Sequence, residues 1–385
     1  MNRRPQRGFT LIELMVALVV SSLLAAMILA IFSRMSTAYR GQQQIAGLQQ
    51  VLAAARATIE LDARQAGLAM AQGFKVAGDA SPPGVQATKH VPISIINHND
   101  GPDELAVFYA DPTSQAVVTT VVGAWDGIPT VTVDSAVGFV PGELVVLSTV
   151  DLTVENPVNP AGPHVATYDA CVLQIVTPGG IAGSTVTFST VPPWGVAGSA
   201  HCTSPVKGKT MMYRFVAHAY RIDPDPARTA FGALQWSLTG GLIGTAADGW
   251  TDLAYGFTDL QTALQIYDGD GLDTLDPDLD PDTAGNVDWY SGAMQEKLTQ
   301  PILATDAYLP PLEVSISLVA RTDRDVEGIA TQETPDLIVA GNPDNNPIGD
   351  HPKVTLPWAI DPSLPGRIYR ATTFQVDLRN LGVGR

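Results

Sequence analysis

One uninterrupted apolar run near the amino terminus constrains this 385-residue chain more than any other feature. The run extends from Phe9 to Phe32, and only four of its 24 residues are polar. As an α-helix it would be about 36 Å long, which is enough to cross a hydrocarbon core of about 30 Å. Arg3, Arg4 and Arg7 precede it, as expected of a cytoplasmic flank. The sequence therefore predicts a single-pass anchor with the rest of the chain on the far side of the membrane.

A cleaved secretory signal peptide is the first alternative, and three details argue against it. The apolar run is too long for the core of a signal peptide, no small-x-small cleavage site follows it, and Glu13 lies five residues inside it. A carboxylate in the bilayer is unfavourable by about 2.5 to 3.5 kcal/mol. In an ordinary anchor Glu13 would snorkel or be protonated; otherwise it needs a partner.

The segment Arg7–Ala17, RGFTLIELMVA, resembles the class III leader junction of type IV pilins and pseudopilins. The resemblance implies that residues 1–8 form a leader peptide, which a prepilin peptidase removes after Gly8 before methylating the new amino terminus at Phe9. It also implies that Glu13 pairs with the free amine of a neighbouring subunit and so fixes its register. A buried ion pair of this kind orients more than it stabilises.

Beyond Phe32 the pattern becomes one-sided, with apolar residues three or four positions apart. We expect one helix over residues 9–71, with a transmembrane or filament-core half at 9–32 and an amphipathic half at 33–71. No proline interrupts residues 9–71, which resembles minor rather than major pilins. Ile59–Gly67 resembles the helix-ending segment of PilW-type minor pilins, and Gly67 and Gly73 are expected to serve the helix exit.

Residues 72–385 are predicted to form a large β-rich globular domain, which gives the fold class α+β. Short β-branched runs alternate there with Gly, Pro, Asn and Asp. The predicted strands are Glu104–Tyr109, Ala116–Val122, Thr130–Val133, Glu143–Val150, Cys171–Val176, Ser184–Ser189, Met211–Ile222, Leu260–Tyr267, Leu312–Val319 and Arg367–Leu378.

The PilW resemblance returns at both ends of this domain, at Pro102–Tyr109 and at Arg367–Asn380. It implies a minor pilin that joins other minor pilins and the major pilin in a complex that primes assembly. The expected location is the inner membrane, with a periplasmic body, before assembly. Afterwards it is the extracellular pilus, at the tip beside an adhesin-like protein.

The two cysteines, Cys171 and Cys202, have no metal-binding spacing, and an export route makes a disulfide between them possible. Free thiols packed as small apolar side chains are the alternative. An acidic stretch beginning at Asp268, Asp270 and Asp273 holds seven carboxylates in fifteen residues. Alternate oxygen ligands of this kind suit calcium, although the spacing departs from an EF-hand, and a solvated acidic turn explains the stretch equally well. No other cofactor is predicted.

Charge and missing motifs exclude further classes of protein. The 39 acidic and 22 basic side chains give a net charge of −17, which repels nucleic acid. The sequence lacks a nucleophile elbow, a zinc-protease motif, a P-loop and a dinucleotide fingerprint, so we predict no enzymatic activity. Two other hypotheses stay open: a minor pseudopilin of a type II secretion system, and a calcium-dependent adhesin or carbohydrate-binding module.

Overall fold

A computed structural model gives the fold of most of the chain. It describes residues 10–70, 73–76, 88–98, 101–122, 130–154, 165–189, 206–223, 232–237, 249–267, 287–290, 302–303, 311–322, 368–378 and 380. Within these residues the fold is one long helix followed by a β-rich body, as the sequence predicts.

The helix α1 spans Leu11–Gln65 and is capped at both ends by its own sequence. Thr10 is the N-cap, and the Glu13 side chain reaches back to it in a capping box. The helix ends six residues before the predicted boundary at residue 71, because the backbone turns at Ala66 and Gly67 takes a positive φ of 74°. Gly73 has a φ of 81°, so both predicted exit glycines adopt backbone that favours glycine.

Within the described residues, seventeen strands follow the helix. In chain order they are β1 (Lys75–Val76), β2 (Thr88–Lys89), β3 (Ile93–Ile96), β4 (Glu104–Val122), β5 (Thr130–Val133), β6 (Leu144–Val154), β7 (Val165–Gln174), β8 (Ile181–Ala182), β9 (Thr185–Thr187), β10 (Thr210–Ile222), β11 (Ala233–Ser237), β12 (Trp250–Tyr255), β13 (Phe257–Tyr267), β14 (Val287–Tyr290), β15 (Ile302–Leu303), β16 (Pro311–Arg321) and β17 (Tyr369–Asp377).

The strands form a large sheet, a smaller sheet and a short pair. The large sheet has the order β1-β7-β6-β10-β4-β5-β9-β8, with β11 and then β12 extending from β10, and β3 paired to β4. The smaller sheet has the order β14-β13-β16-β17, and β2 pairs with β15. The β1–β7 pairing is parallel and the other described pairings are antiparallel.

The second half of α1 packs against strands of both sheets and contributes to the main core. This core joins Leu48, Leu52 and Ile59 of the helix to apolar residues of β3, β4, β10, β13, β16 and β17. A separate distal core lies among β4 to β10, around Val131 and Phe188. The first half of α1 contributes to neither core.

Each predicted strand overlaps an observed strand, but several differ in extent: Cys171–Val176 covers only the end of β7, and three of the six residues of Ser184–Ser189 lie in β9. The separate predictions Glu104–Tyr109 and Ala116–Val122 are parts of the single 19-residue strand β4. Its pairing with β10 is irregular where Asp111 and Gln115 face the adjacent residues Arg214 and Tyr213. Pro112 lies in this bulge, where a missing backbone donor is tolerated.

Candidate assembly site on the stem helix

The exposed amino-terminal half of α1 is the first part of the candidate site. Its large apolar side chains from Leu11 to Phe32 are 51–77% exposed, whereas a monomeric soluble protein rarely exposes so long an apolar surface. Among the described residues this is the one helix long and apolar enough to cross a membrane. The surface therefore requires lipid or other apolar helices around it.

Glu13 lies on this apolar half with its carboxylate held by Thr10. The Glu13 Oε2 atom accepts hydrogen bonds from the Thr10 amide at 3.0 Å and from the Thr10 hydroxyl at 2.9 Å. The Thr10 hydroxyl in turn accepts from the Glu13 amide at 3.3 Å. The helix N-terminus and these two donors partly compensate a carboxylate in an apolar setting.

The other predicted site residues are distributed differently. Gly8 and Phe9 lie outside the described residues, as do Cys202, Asp268, Asp270 and Asp273, so the processing site, the disulfide partner and the calcium loop stay predictions. Cys171 is 4% exposed on β7, within the distal core. No cluster of three or more His, Cys, Asp or Glu able to hold a metal occurs within the part of the chain that the structure describes.

Asp62 is the centre of a second polar site, at the junction between helix and body. It is only 6% exposed and accepts three hydrogen bonds, from the Tyr109 hydroxyl at 3.1 Å, from His218 Nδ1 at 2.6 Å and from the Tyr220 hydroxyl. Burial, followed by the negative charge of Asp62, raises the pKa of both tyrosines well above the usual value for a phenol. The imidazole of His218 also contacts Trp236, with ring centroids 5.4 Å apart.

Hydrogen bonds to the body satisfy the carbonyl groups just before and beyond the end of α1. The Asn380 side-chain amide donates to the Arg64 carbonyl at 3.0 Å. The Ala110 amide donates to the Leu68 carbonyl at 3.1 Å, and the Ser148 hydroxyl donates to the Ala69 carbonyl at 2.6 Å. Since such carbonyls have no partner inside the helix, these bonds fix the direction in which the stem leaves the body.

Sequence comparison agrees with the geometry of the stem. Residues 3–29 match the model of the prokaryotic N-terminal methylation motif. The chain therefore carries a prepilin-type N-methylation motif. The motif implies processing by a prepilin peptidase, and the apolar helix is consistent with membrane anchoring before pilus assembly.

Among solved structures, the chain is similar to the type IV-like pilin TTHA1219 from Thermus thermophilus, with 16% sequence identity and a TM-score of 0.26. That similarity covers 44% of this chain and 69% of the other. No curated protein matches the sequence.

Sequence reasoning identified Glu13 and missed Asp62. Glu13 is part of a contiguous motif, whereas the three partners of Asp62 are 47, 156 and 158 residues away along the chain. The available signal was an acidic residue within the apolar pattern of the amphipathic half, between Ile59 and Ala63, both fully buried. An aspartate on such a face requires donors from the opposing surface.

Proposed function

We propose that this protein is a PilW-type minor pilin that is built into type IV pili and helps to prime their assembly. One observation carries the proposal: the prepilin motif continues directly into a helix whose first half is exposed and apolar, while its second half is buried in a large body. The role is mechanical, and we propose no catalytic activity; calcium at the acidic stretch beginning at Asp268 stays a prediction.

Glu13 is proposed to guide docking of the subunit. In the membrane, its charge is compensated only in part by the two Thr10 donors. When the leader is removed, the amine of Phe9 on a neighbouring subunit becomes the cation that neutralises it. Because an unpaired carboxylate in lipid is unfavourable by about 2.5 to 3.5 kcal/mol, a register that pairs it is favoured over registers that do not.

The remaining assembly steps follow from the arrangement of helix and body. Exposed apolar faces of neighbouring helices would pack together in the filament core and leave the lipid. The body of about 314 residues would lie on the filament surface. We propose the prepilin peptidase, other minor pilins and the major pilin as partners, with a place at the tip beside an adhesin-like protein.

Substitution of Glu13 tests this function. We expect Glu13→Ala to reduce the amount of protein in sheared filaments at least tenfold, with membrane insertion and leader cleavage unchanged. Glu60→Gln is the matched control, since it removes one carboxylate from the same helix, in the part beyond the membrane. Normal incorporation of Glu13→Ala would contradict the proposed ion pair.

Processing is tested separately at the cleavage junction. Replacing Gly8 should leave residues 1–8 attached, which intact-protein mass spectrometry detects directly. Protein from sheared filaments should begin at methylated Phe9. Recovery of the uncut chain in filaments would contradict the proposal.

A type II secretion pseudopilin would use the same junction and helix. The two roles differ in the machine that depends on the protein. Deletion of the gene should abolish surface pili and leave protein secretion intact if the first proposal holds, and the reverse outcome would favour the pseudopilin.

A further inference from the structure

The surface between stem helix and body is largely apolar, with Asp62 as its buried carboxylate; Arg56 also lies over the Phe374 ring at 5.2 Å, and Asn380 bonds the Arg64 carbonyl near the end of the helix. The neighbouring helix residues Ile59, Ala63 and Ala66 are fully buried and meet apolar side chains of both sheets. Burial of apolar side chains is not directional, so these contacts alone fix the axial position of the helix less sharply than a hydrogen bond to a buried group does.

The donors around Asp62 are held rigidly by the body. Tyr109 comes from β4, and His218 and Tyr220 come from the adjacent strand β10. The His218 ring meets the Tyr109 ring edge-on, with centroids 6.0 Å apart, and also contacts the tilted Trp236 ring, with centroids 5.4 Å apart. Tyr220 is fully buried, so the donors have little freedom to follow a displaced acceptor.

We propose that Asp62 is a positioning residue that sets the axial position of the stem helix on the body. If the helix moved by one turn in either direction, Thr58 or Ala66 would face these donors. Thr58 presents a single hydroxyl and Ala66 presents no acceptor. A displaced helix would therefore leave buried donors without a partner, which strongly disfavours it.

In a filament, the position that Asp62 sets would determine how far the body lies along α1 from the apolar half of the helix. Glu13 and Asp62 lie on one continuous helix, 49 residues and therefore about 74 Å apart. Glu13 would fix the helix relative to the neighbouring subunit, and Asp62 fixes the body relative to the helix. This consequence rests on the proposed function, whereas the helix position is a property of the single molecule.

The position can be measured on the purified full-length chain in detergent micelles. Spin labels would be attached at Ala57→Cys on the exposed side of α1 and at Val137→Cys, which is 90% exposed on the body, in a background with Cys171 and Cys202 replaced by alanine. We expect Asp62→Leu, which has no acceptor, to broaden the distance distribution or shift it by about the 5.4 Å of one turn. Glu60→Gln should keep the wild-type distance.

Two readouts separate positioning from simple stabilisation. Raising the stability of Asp62→Leu with an osmolyte should restore its melting temperature but not the single distance. If Asp62→Leu does not fold, the double variant Tyr109→Phe and Tyr220→Phe decides, because it removes two donors with almost no change in volume. A single wild-type distance in the folded variant would overturn the proposal.

The filament assay is independent of this result. If Asp62→Leu shows the displaced distance, its incorporation into sheared filaments should fall at least tenfold. If Asp62→Leu shows the displaced distance but enters filaments at the normal level, the position of the body along the helix has no role in assembly. If wild-type protein enters no filament, the proposed function fails while the distance measurement still tests Asp62.

Discussion

At the scale of single residues, Tyr109 and Tyr220 couple the stability of the protein to pH. Their side chains are nearly or fully buried, at 7% and 0% exposure, and both hydroxyls donate to Asp62. Burial comes first and the Asp62 charge second in raising the pKa of each phenol. The folded protein therefore keeps both hydroxyls protonated at a pH where an unfolded tyrosine, with a pKa of about 10, ionises.

The first prediction is loss of stability in alkali. Because folding raises the pKa of each tyrosine, each makes its full contribution to the free energy of unfolding below pH of about 10. This contribution is lost as pH rises from there towards the pKa of the folded state. Each tyrosine should lower the free energy of unfolding by about 1.4 kcal/mol per pH unit in that window. Denaturation of the full chain in micelles between pH 8 and 11.5 measures this slope.

Two variants test whether Tyr109 and Tyr220 cause this loss of stability in alkali. The double variant Tyr109→Phe and Tyr220→Phe should be less stable at pH 8 but lose stability less steeply above pH 10. Tyr39→Phe removes a 61% exposed tyrosine from the stem and should leave the wild-type slope unchanged. Equal slopes in all three proteins would refute the coupling.

At the scale of elements, two glycines should respond in opposite ways to alanine substitution, one with a gain and one with a loss of stability. Gly47 lies inside α1, where an added Cβ would meet no atom within 4 Å, so packing does not require a glycine there. Gly232 has a φ of 58°, and its Cβ would lie 1.9 Å from the Phe257 carbonyl oxygen. The Gly232 carbonyl also accepts a hydrogen bond from the Gly256 amide at 2.9 Å, so the close approach helps to hold β11 beside the β12–β13 corner.

The second prediction compares these positions by alanine substitution. Gly47→Ala should stabilise the protein by up to about 1 kcal/mol, because alanine restricts the unfolded chain and favours the helix. Gly232→Ala should destabilise it by about 3 kcal/mol or more. Gly138→Ala is the matched control: its φ is 95°, nothing lies within 4 Å, and only backbone strain of about 1 to 2 kcal/mol applies. Chemical denaturation ranks the three, and a Gly232→Ala protein as stable as Gly138→Ala would refute the steric argument.

Local signals explain which elements the sequence predicts. The helix, its exit glycines and strands such as Thr130–Val133 follow from periodicity and turn residues, and the structure confirms them. Strands β3, β11 and β12 were not predicted, although each pairs with a strand next to it along the chain. Long-range contacts decide the candidate sites instead: a local motif identifies Glu13, whereas the partners of Asp62 come from the assembled sheet.

At the scale of the whole molecule, two long strands connect separate cores. Both β4 and β10 contribute to the main core around α1, through Leu105 and Tyr220, and to the distal core, through Val118 and Met212. The distal part is thus built on continuations of strands that the stem helix covers. A constraint placed in the distal core should stabilise the whole body if the two parts unfold together.

The predicted bridge between Cys171 and Cys202 provides that constraint. Cys171 lies in β7, opposite Leu147 of β6, and its loop to Cys202 would contain β8 and β9. Closing this loop of 32 residues should stabilise the protein by about 3 to 4 kcal/mol, because the unfolded chain loses freedom.

The third prediction uses a double-mutant cycle in the oxidised full-length protein. Cys171→Ala, Cys202→Ala and the double variant should each lose nearly the same stability, since any of them opens the loop. If the two single losses add in the double variant, the cysteines are not paired. A single unfolding transition that shifts as a whole would show that the distal core and the helix-covered core unfold together. A separate early transition confined to the variants would show that β4 and β10 connect two independently folding parts.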